Sequence, residues 1–420
     1  MTSSQAAKDQ LERLIRNAEH VVPKEDLEAR LAEERPLRVK LGVDPTARDI
    51  TLGWAVPLRK LRQFQDAGHT AVLIMGDFTA RIGDPSGKSE TRPQLTKEQV
   101  QSNAEACVDQ LMDILSEDNL EIRFNSEWLE PLDLTDVLRI TSQYTVAQML
   151  ERDDFSKRYA ERRPISIVEF MYPLMQGYDS VAIQADVELG GTDQLFNLLV
   201  GRDLQRAHGQ QPQVALTLPL LVGLDGVQKM SQSLKNYVSI RDAPEEMFGK
   251  LMRIPDGLVV QYARLAAELD DRDVKSVAED AMGGGPAAGE AKRRVARSIV
   301  ETYHGADGAS AAEADFDRKF IEHGTPEEVP TATIPPDAVD GERVYLPRLL
   351  VELGFASSGS DARRLIEHGG VRINGEQTSV LEVTASSVEG ALLQVGKRRF
   401  VRLLPRETSG PFKAVGTDDA

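Results

Sequence analysis

A short, largely apolar run at residues 37–43 leads directly into Asp44-Pro45-Thr46, and a helical pattern over residues 52–67 follows, closed by Gly68. Buried strand, turn, helix: that order constrains the fold more than any other feature of the chain. A short, largely apolar strand of this kind fits a buried parallel sheet between two helix layers. Such a junction is also an anion site. The free amides of a helix N-terminus favour negative charge by ~0.3–1 kcal/mol at exposed positions.

The pattern recurs downstream. Strands are expected at 70–75, 120–124, 187–191 and 214–221, and helices at 97–115, 132–151, 165–178 and 193–208. Alternation at this spacing predicts an α/β fold with a doubly wound parallel sheet and ligands at the strand C-terminal ends. After residue 242 the strand signals stop, and 244–320 reads as mostly helical. Residues 325–342, rich in proline and poor in large apolar side chains, read as a linker. A small α+β unit is expected over 343–406, then a disordered tail at 407–420.

Composition narrows the function. The net charge of −17 opposes indiscriminate nucleic-acid binding, yet residues 343–406 carry ten Lys/Arg against six Asp/Glu. A basic module appended to an acidic protein suggests local RNA contact. One cysteine excludes an internal disulfide and suits a cytoplasmic protein; six scattered histidines give no metal-ligand spacing, so no metal is expected. No apolar run is long enough for a membrane span.

Five clusters carry chemistry. The turn Asp44-Pro45-Thr46 fits a phosphate group, or is an ordinary capped junction. The segment Gly83-Asp84-Pro85-Ser86-Gly87-Lys88 lacks the GxxxxGK[ST] spacing of a P-loop, and Asp84 suits an ammonium group or the turn itself. Tyr172, Gln176 and Asp179 fall at i, i+4 and i+7 on one helix face. That face fits a small ligand with amine and hydroxyl groups, or is simply solvated. Gly191, Asp193 and Gln194 form a polar turn suited to ribose hydroxyls and a small polar substrate. Lys229, Met230 and Ser231 lie in a loop whose lysine can reach a phosphate, though spacing alone favours a plain surface loop.

Taken in order, VDPTA, GDPSG, YPLMQGYD, GGTDQ, QKMSQS and SDARRLIEHGGVRING resemble the tyrosyl-tRNA synthetase family, from about residue 11 to residue 406. The resemblance implies a Rossmann-like catalytic domain (1–242), a helical anticodon-recognition domain (243–324) and an S4-like RNA-binding domain (343–406), assembled as a homodimer. It implies L-tyrosine, ATP with Mg2+ and tRNA(Tyr) as ligands, and no prosthetic group. Asp179 and Gln176 would read the tyrosine ring and hydroxyl, while Tyr172, Gln176 and Asp84 would hold its ammonium. Gln194 and Asp44 would border the substrate. Gly42, Gly53, Gly191 and Asp193 would surround the adenosine, with Met230 and Ser231 in the second nucleotide signature. Thr46 and Lys229 would stabilise departing pyrophosphate, with Thr51 a possible further donor. Arg363, Arg364 and Arg372 would face RNA.

Two departures stand out. The family's first nucleotide signature carries His-x-Gly-His where this chain has Thr51-Leu52-Gly53-Trp54, and Gln232 replaces a lysine in the second. Two readings follow: a tyrosine–tRNA ligase, or a paralogue without ATP-dependent activation that acts as a tyrosine- or tRNA-binding protein or as a specialised transfer protein. A nicotinamide-linked oxidoreductase is excluded because no GxGxxG follows the first strand.

Overall fold

A computed structural model describes residues 3–46, 48–84, 96–320, 329–396 and 399–404. The sequence readings at residues 85–88 and 407–420 lie outside them. The chain divides into two compact units, Met1–Ala312 and Glu313–Ala420.

The first unit is built on six strands: β1 (His20–Val22), β2 (Arg38–Val43), β3 (Thr70–Met75), β4 (Leu120–Phe124), β5 (Val187–Gly191) and β6 (Val214–Leu218), in the order β1-β6-β5-β2-β3-β4. All neighbours are parallel except β1, which runs antiparallel to β6. Leu41 sits opposite both Leu73 and Leu189, and all three are buried. Charged and apolar residues fall at helical spacing over residues 11–33, which predicts helix there; the structure instead sets edge strand β1 between the helices Ser3–Leu14 and Lys24–Leu31. Three residues paired on one side only are too short a run for periodicity to reveal.

Helices Leu52–Asp66 and Ile167–Ile183 start at designed caps. Thr51 Oγ1 accepts from the Trp54 amide at 3.3 Å, and Ser166 forms a capping box with Glu169. The region expected as one helix over 132–151 is two short ones, Leu134–Thr141 and Val146–Met149, each opened by its own capping box. Helices Pro244–Leu251, Val259–Leu265, Asp271–Gly283 and Gly285–Phe320 follow β6, the last kinked at Gly305, whose φ is 75°. Arg59 ties the helix Leu52–Asp66 to this region through Glu268 at 2.7 Å.

The second unit packs helices Leu346–Glu352 and Gly359–Glu367 on short strands. In chain order these are β7 (Thr331–Thr333), β8 (Val339–Asp340), β9 (Arg343–Tyr345), β10 (Val371–Ile373), β11 (Glu376–Gln377), β12 (Glu382–Thr384), β13 (Leu392–Val395) and β14 (Arg399–Leu404). Leu346, Leu349, Leu350, Ile366, Val371, Leu393 and Leu403 form its core. The linker reading of 325–342 is corrected over 331–340. There β7 pairs with β14, β8 pairs with β9, and Ile334 and Ala338 are buried in the same core. Prolines Pro335 and Pro336 lie between those strands, where no ladder amide is required.

Candidate active site

Strands β2 and β5 are neighbours, but the chain leaves β2 toward β3 and leaves β5 toward β6. This divergence opens a crevice at their C-terminal ends, the usual ligand position in an open parallel sheet. Asp44 and Thr46 follow β2; Gly191, Asp193 and Gln194 end and follow β5.

At one end of the crevice the helix Ile167–Ile183 presents Tyr172, Gln176 and Asp179. Tyr172 donates its hydroxyl to Asp44 Oδ2 at 2.8 Å, and Thr79 donates to Asp44 Oδ1 at 2.7 Å. Burial and the Asp44 carboxylate push the Tyr172 phenol well above its ordinary pKa, so it stays a neutral donor. Room for this arrangement depends on Gly76, where a Cβ would lie 2.1 Å from Asp44 Oδ1. Asp179 is buried and accepts from Trp128 Nε1 at 2.8 Å and Asn125 Nδ2 at 3.4 Å. Burial pushes its carboxyl up to about 7, against the opposing pull of the Lys40 charge.

A chain of amides lines the wall. Gln176 Nε2 donates to Glu188 Oε1 at 3.3 Å, while Asn197 Nδ2 donates to Gln176 Oε1 at 2.9 Å and to Gln194 Oε1 at 3.1 Å. Gln194 Nε2 in turn donates to Asp84 Oδ2 at 2.9 Å. The structure thus brings Asp84, Gln176 and Gln194 into one network, although 110 residues separate Asp84 from Gln194.

At the other end the segments around residues 49–54 and 229–236 touch. The Gly53 amide faces Met230 Sδ at 3.3 Å, and a Cβ on Gly53 would lie 3.3 Å from Met230 Cβ. Gln232 donates to the Asp49 carbonyl, Ser231 N donates to Asn236 Oδ1 at 2.8 Å, and Lys229 pairs with Asp193 at 2.7 Å. Backbone bonds from Leu52 to Val238 (2.9 Å) and from Ile240 to Ile50 (3.0 Å) stitch the segments behind them. A Cβ on Gly42 would meet nothing within 4 Å, so the glycine leaves open space; one on Gly191 would strike Leu220 at 2.6 Å. Thr51, expected as a donor, is 1% exposed and its oxygen serves the helix cap; Trp54 is 36% exposed. Among the described residues no group of three His, Cys, Asp or Glu is placed to hold a metal ion.

Known proteins match this chain almost end to end. The family described as "tRNA synthetases class I (W and Y)" matches residues 32–320, and the S4 domain family matches 346–378. Tyrosine–tRNA ligase of Moorella thermoacetica is 50% identical over 94% of this chain and 95% of its own length. The chain belongs to the tyrosyl-tRNA synthetase family. The Thermotoga maritima tyrosine–tRNA ligase is 48% identical over 95% of this chain and 98% of its own. Among solved structures, tyrosyl-tRNA synthetase from Archaeoglobus fulgidus, complexed with L-tyrosine, superposes with a TM-score of 0.59 at 26% identity, covering 73% of this chain and 99% of that one.

Within this synthetase fold the S4 unit carries Arg363, Arg364 and Arg372 on its surface. Arg363 donates to Tyr345 Oη at 2.8 Å, Arg364 pairs with Asp361 at 3.0 Å, and Arg372 reaches the Gly375 carbonyl at 3.3 Å. Sequence reasoning missed Asn125, Trp128, Lys40, Glu188 and Asn197. Asn125 begins the turn after β4, and that position at a strand end was the one available signal.

Proposed function

We propose that this protein is a tyrosine–tRNA ligase, activating L-tyrosine with ATP and passing the tyrosyl group to tRNA(Tyr). The observation that carries it is the match to tyrosine–tRNA ligases at about half identity over nearly their whole length. It favours this reading over a paralogue without ATP-dependent activation.

In this reading Asp179 accepts the phenolic hydroxyl of tyrosine, and phenylalanine desolvates that carboxyl group without supplying the hydrogen bond in return. Tyr172, Gln176 and Asp84 hold the ammonium, with Asp44 and Gln194 beside it. The substrate carboxylate then attacks the α-phosphorus of ATP, which enters with Mg2+. A C–O–P bond forms, the α–β anhydride breaks, and pyrophosphate leaves with Thr46 and Lys229 stabilising its charge. The terminal ribose hydroxyl of tRNA next attacks the tyrosyl carbonyl and AMP departs. No side chain needs to act as a base in activation, so positioning and charge stabilisation supply the rate. Gly42, Gly53, Gly191 and Asp193 surround the adenosine, with Met230 and Ser231 closing over it.

The S4 unit binds tRNA through Arg363, Arg364 and Arg372. A homodimer fits the exposed apolar side chains Leu134, Leu138, Val146, Tyr159 and Ile167, all carried by the chain segment that links β4 to β5. A cytoplasmic site of action belongs to the same reading; among the described residues no helix is long and apolar enough to cross a membrane.

Tyrosine-dependent ATP–pyrophosphate exchange tests the proposal. The expected result is exchange that requires tyrosine, followed by charging of tRNA(Tyr). Tyrosine binding without any exchange would instead establish the paralogue.

A further inference from the structure

We infer that Lys40 and Glu188 are positioning residues of the tyrosine pocket, their buried ion pair fixing the carboxamide of Gln176 and the grip on the substrate ammonium. The inference rests on the ligase reading and deepens its amino-acid site.

Lys40 and Glu188 are direct cross-strand partners on β2 and β5, 0% and 1% exposed, with Nζ and Oε1 2.8 Å apart. Lys40 has three protons and uses all of them. It donates to Glu188, to Ser180 Oγ at 2.8 Å and to the Gln176 carbonyl at 2.8 Å. The last two acceptors lie on the helix Ile167–Ile183, so Lys40 tethers the pocket helix to the sheet at the residue that faces substrate.

Glu188 acts on the side chain of that residue. As an ionised carboxylate it only accepts, and it takes Gln176 Nε2 at 3.3 Å, Ser180 Oγ at 3.1 Å and Gln213 Nε2. The two ends of an amide have nearly the same shape, so its neighbours decide which way it points. Glu188 draws the nitrogen of Gln176 inward and leaves the oxygen toward Asn197 and the crevice. An outward oxygen accepts a hydrogen bond from an ammonium group; an outward NH2 repels one. The pair is a poor source of stability, because apolar residues of similar volume commonly replace buried ion pairs without loss. Its geometry accounts for orientation instead.

The test is equilibrium dialysis of labelled L-tyrosine against the full chain without ATP, alongside pyrophosphate exchange. Glu188→Gln removes the charge that orients Gln176. The double variant Lys40→Met/Glu188→Gln removes both charges, so no unpaired ion remains to unfold the protein. Tyrosine binding is expected to weaken about tenfold or more in both, the scale of a misdirected buried hydrogen bond. In exchange, KM for tyrosine rises by the same factor while KM for ATP stays unchanged. Unchanged tyrosine affinity in either folded variant overturns the inference. So does an equal loss of tyrosine and ATP affinity, which marks general structural damage. Wild-type protein that binds no tyrosine overturns the ligase reading itself, a separate result.

Discussion

The ammonium of Lys229 lies 2.7 Å from the Asp193 carboxylate, so a residue proposed for pyrophosphate and one proposed for ribose are paired with each other. With side-chain exposures of 38% and 19%, the pair is partly solvated, and such pairs contribute at most about 1 kcal/mol. Asp193→Asn and Lys229→Ala are therefore expected to shift urea-unfolding stability by no more than about 1 kcal/mol. Catalysis should respond far more. Losing one preorganised donor at the departing charge lowers kcat by about 10²–10³. Exchange kinetics and urea titration on the same preparations check this, and a large stability loss with normal exchange would reverse the assignment.

Asp179 makes tyrosine binding pH-dependent. Its carboxyl titrates at about 7 because burial outweighs the Lys40 charge and the Trp128 and Asn125 hydrogen bonds. The ionised form is the better acceptor for a phenolic hydroxyl, so tyrosine affinity is expected to rise as pH passes upward through about 7. The stability effect has the opposite sense. The folded group binds a proton that the unfolded one releases near pH 4, so this contribution falls between about 4 and 7 and levels off above. Asp179→Asn should flatten both profiles. Dialysis of tyrosine from pH 5.5 to 8.5 reads the first, and urea midpoints across pH 4 to 8 read the second.

The parallel sheet was legible because β2, β3, β5 and β6 are apolar runs separated by helical patterns and glycine turns. Tyr172, Gln176 and Asp179 were legible because a 3.6-residue period brings them to one face. What orients them was not. Lys40 sits inside a largely apolar run, and its partner Glu188 follows 148 positions later on a neighbouring strand, a pairing that no local pattern encodes. Asn125 and Trp128 reach Asp179 across more than fifty residues by the same kind of long-range contact. Strand β7 looked like linker because three residues carry no period and their pairing partner β14 is about seventy residues on.

In the S4 unit, Arg363, Arg364 and Arg372 bond to neighbours within that unit, Tyr345, Asp361 and the Gly375 carbonyl, and lie at its surface, where their charge can meet a polyanion. Each contact with an RNA phosphate should release counterions, so replacing one arginine by alanine lowers the slope of log affinity against log salt by about 0.7–1. Binding to tRNA should weaken with each substitution while tyrosine-dependent exchange stays at the wild-type rate. Filter binding at several salt concentrations measures the slope. An unchanged slope in all three variants would move the RNA contact to another face.

The signature positions Thr51 and Trp54 differ in how they can be repaired. Thr51 is 1% exposed and caps the helix Leu52–Asp66, so Thr51→Ala alone should cost about 1 kcal/mol. A histidine there loses the cap and adds volume to a filled site, a further cost of about 1–3 kcal/mol. Trp54 is 36% exposed on the first helical turn, where a histidine fits without disturbing the core. Trp54→His is therefore expected to raise kcat for exchange about tenfold or more with an unchanged melting temperature, because it adds one donor beside the triphosphate. Thr51→His should lower the melting temperature and offset part of any catalytic gain. If Trp54→His instead slows exchange and raises KM for ATP, the indole is itself a nucleotide contact, and this chain has exchanged imidazole donors for an aromatic surface.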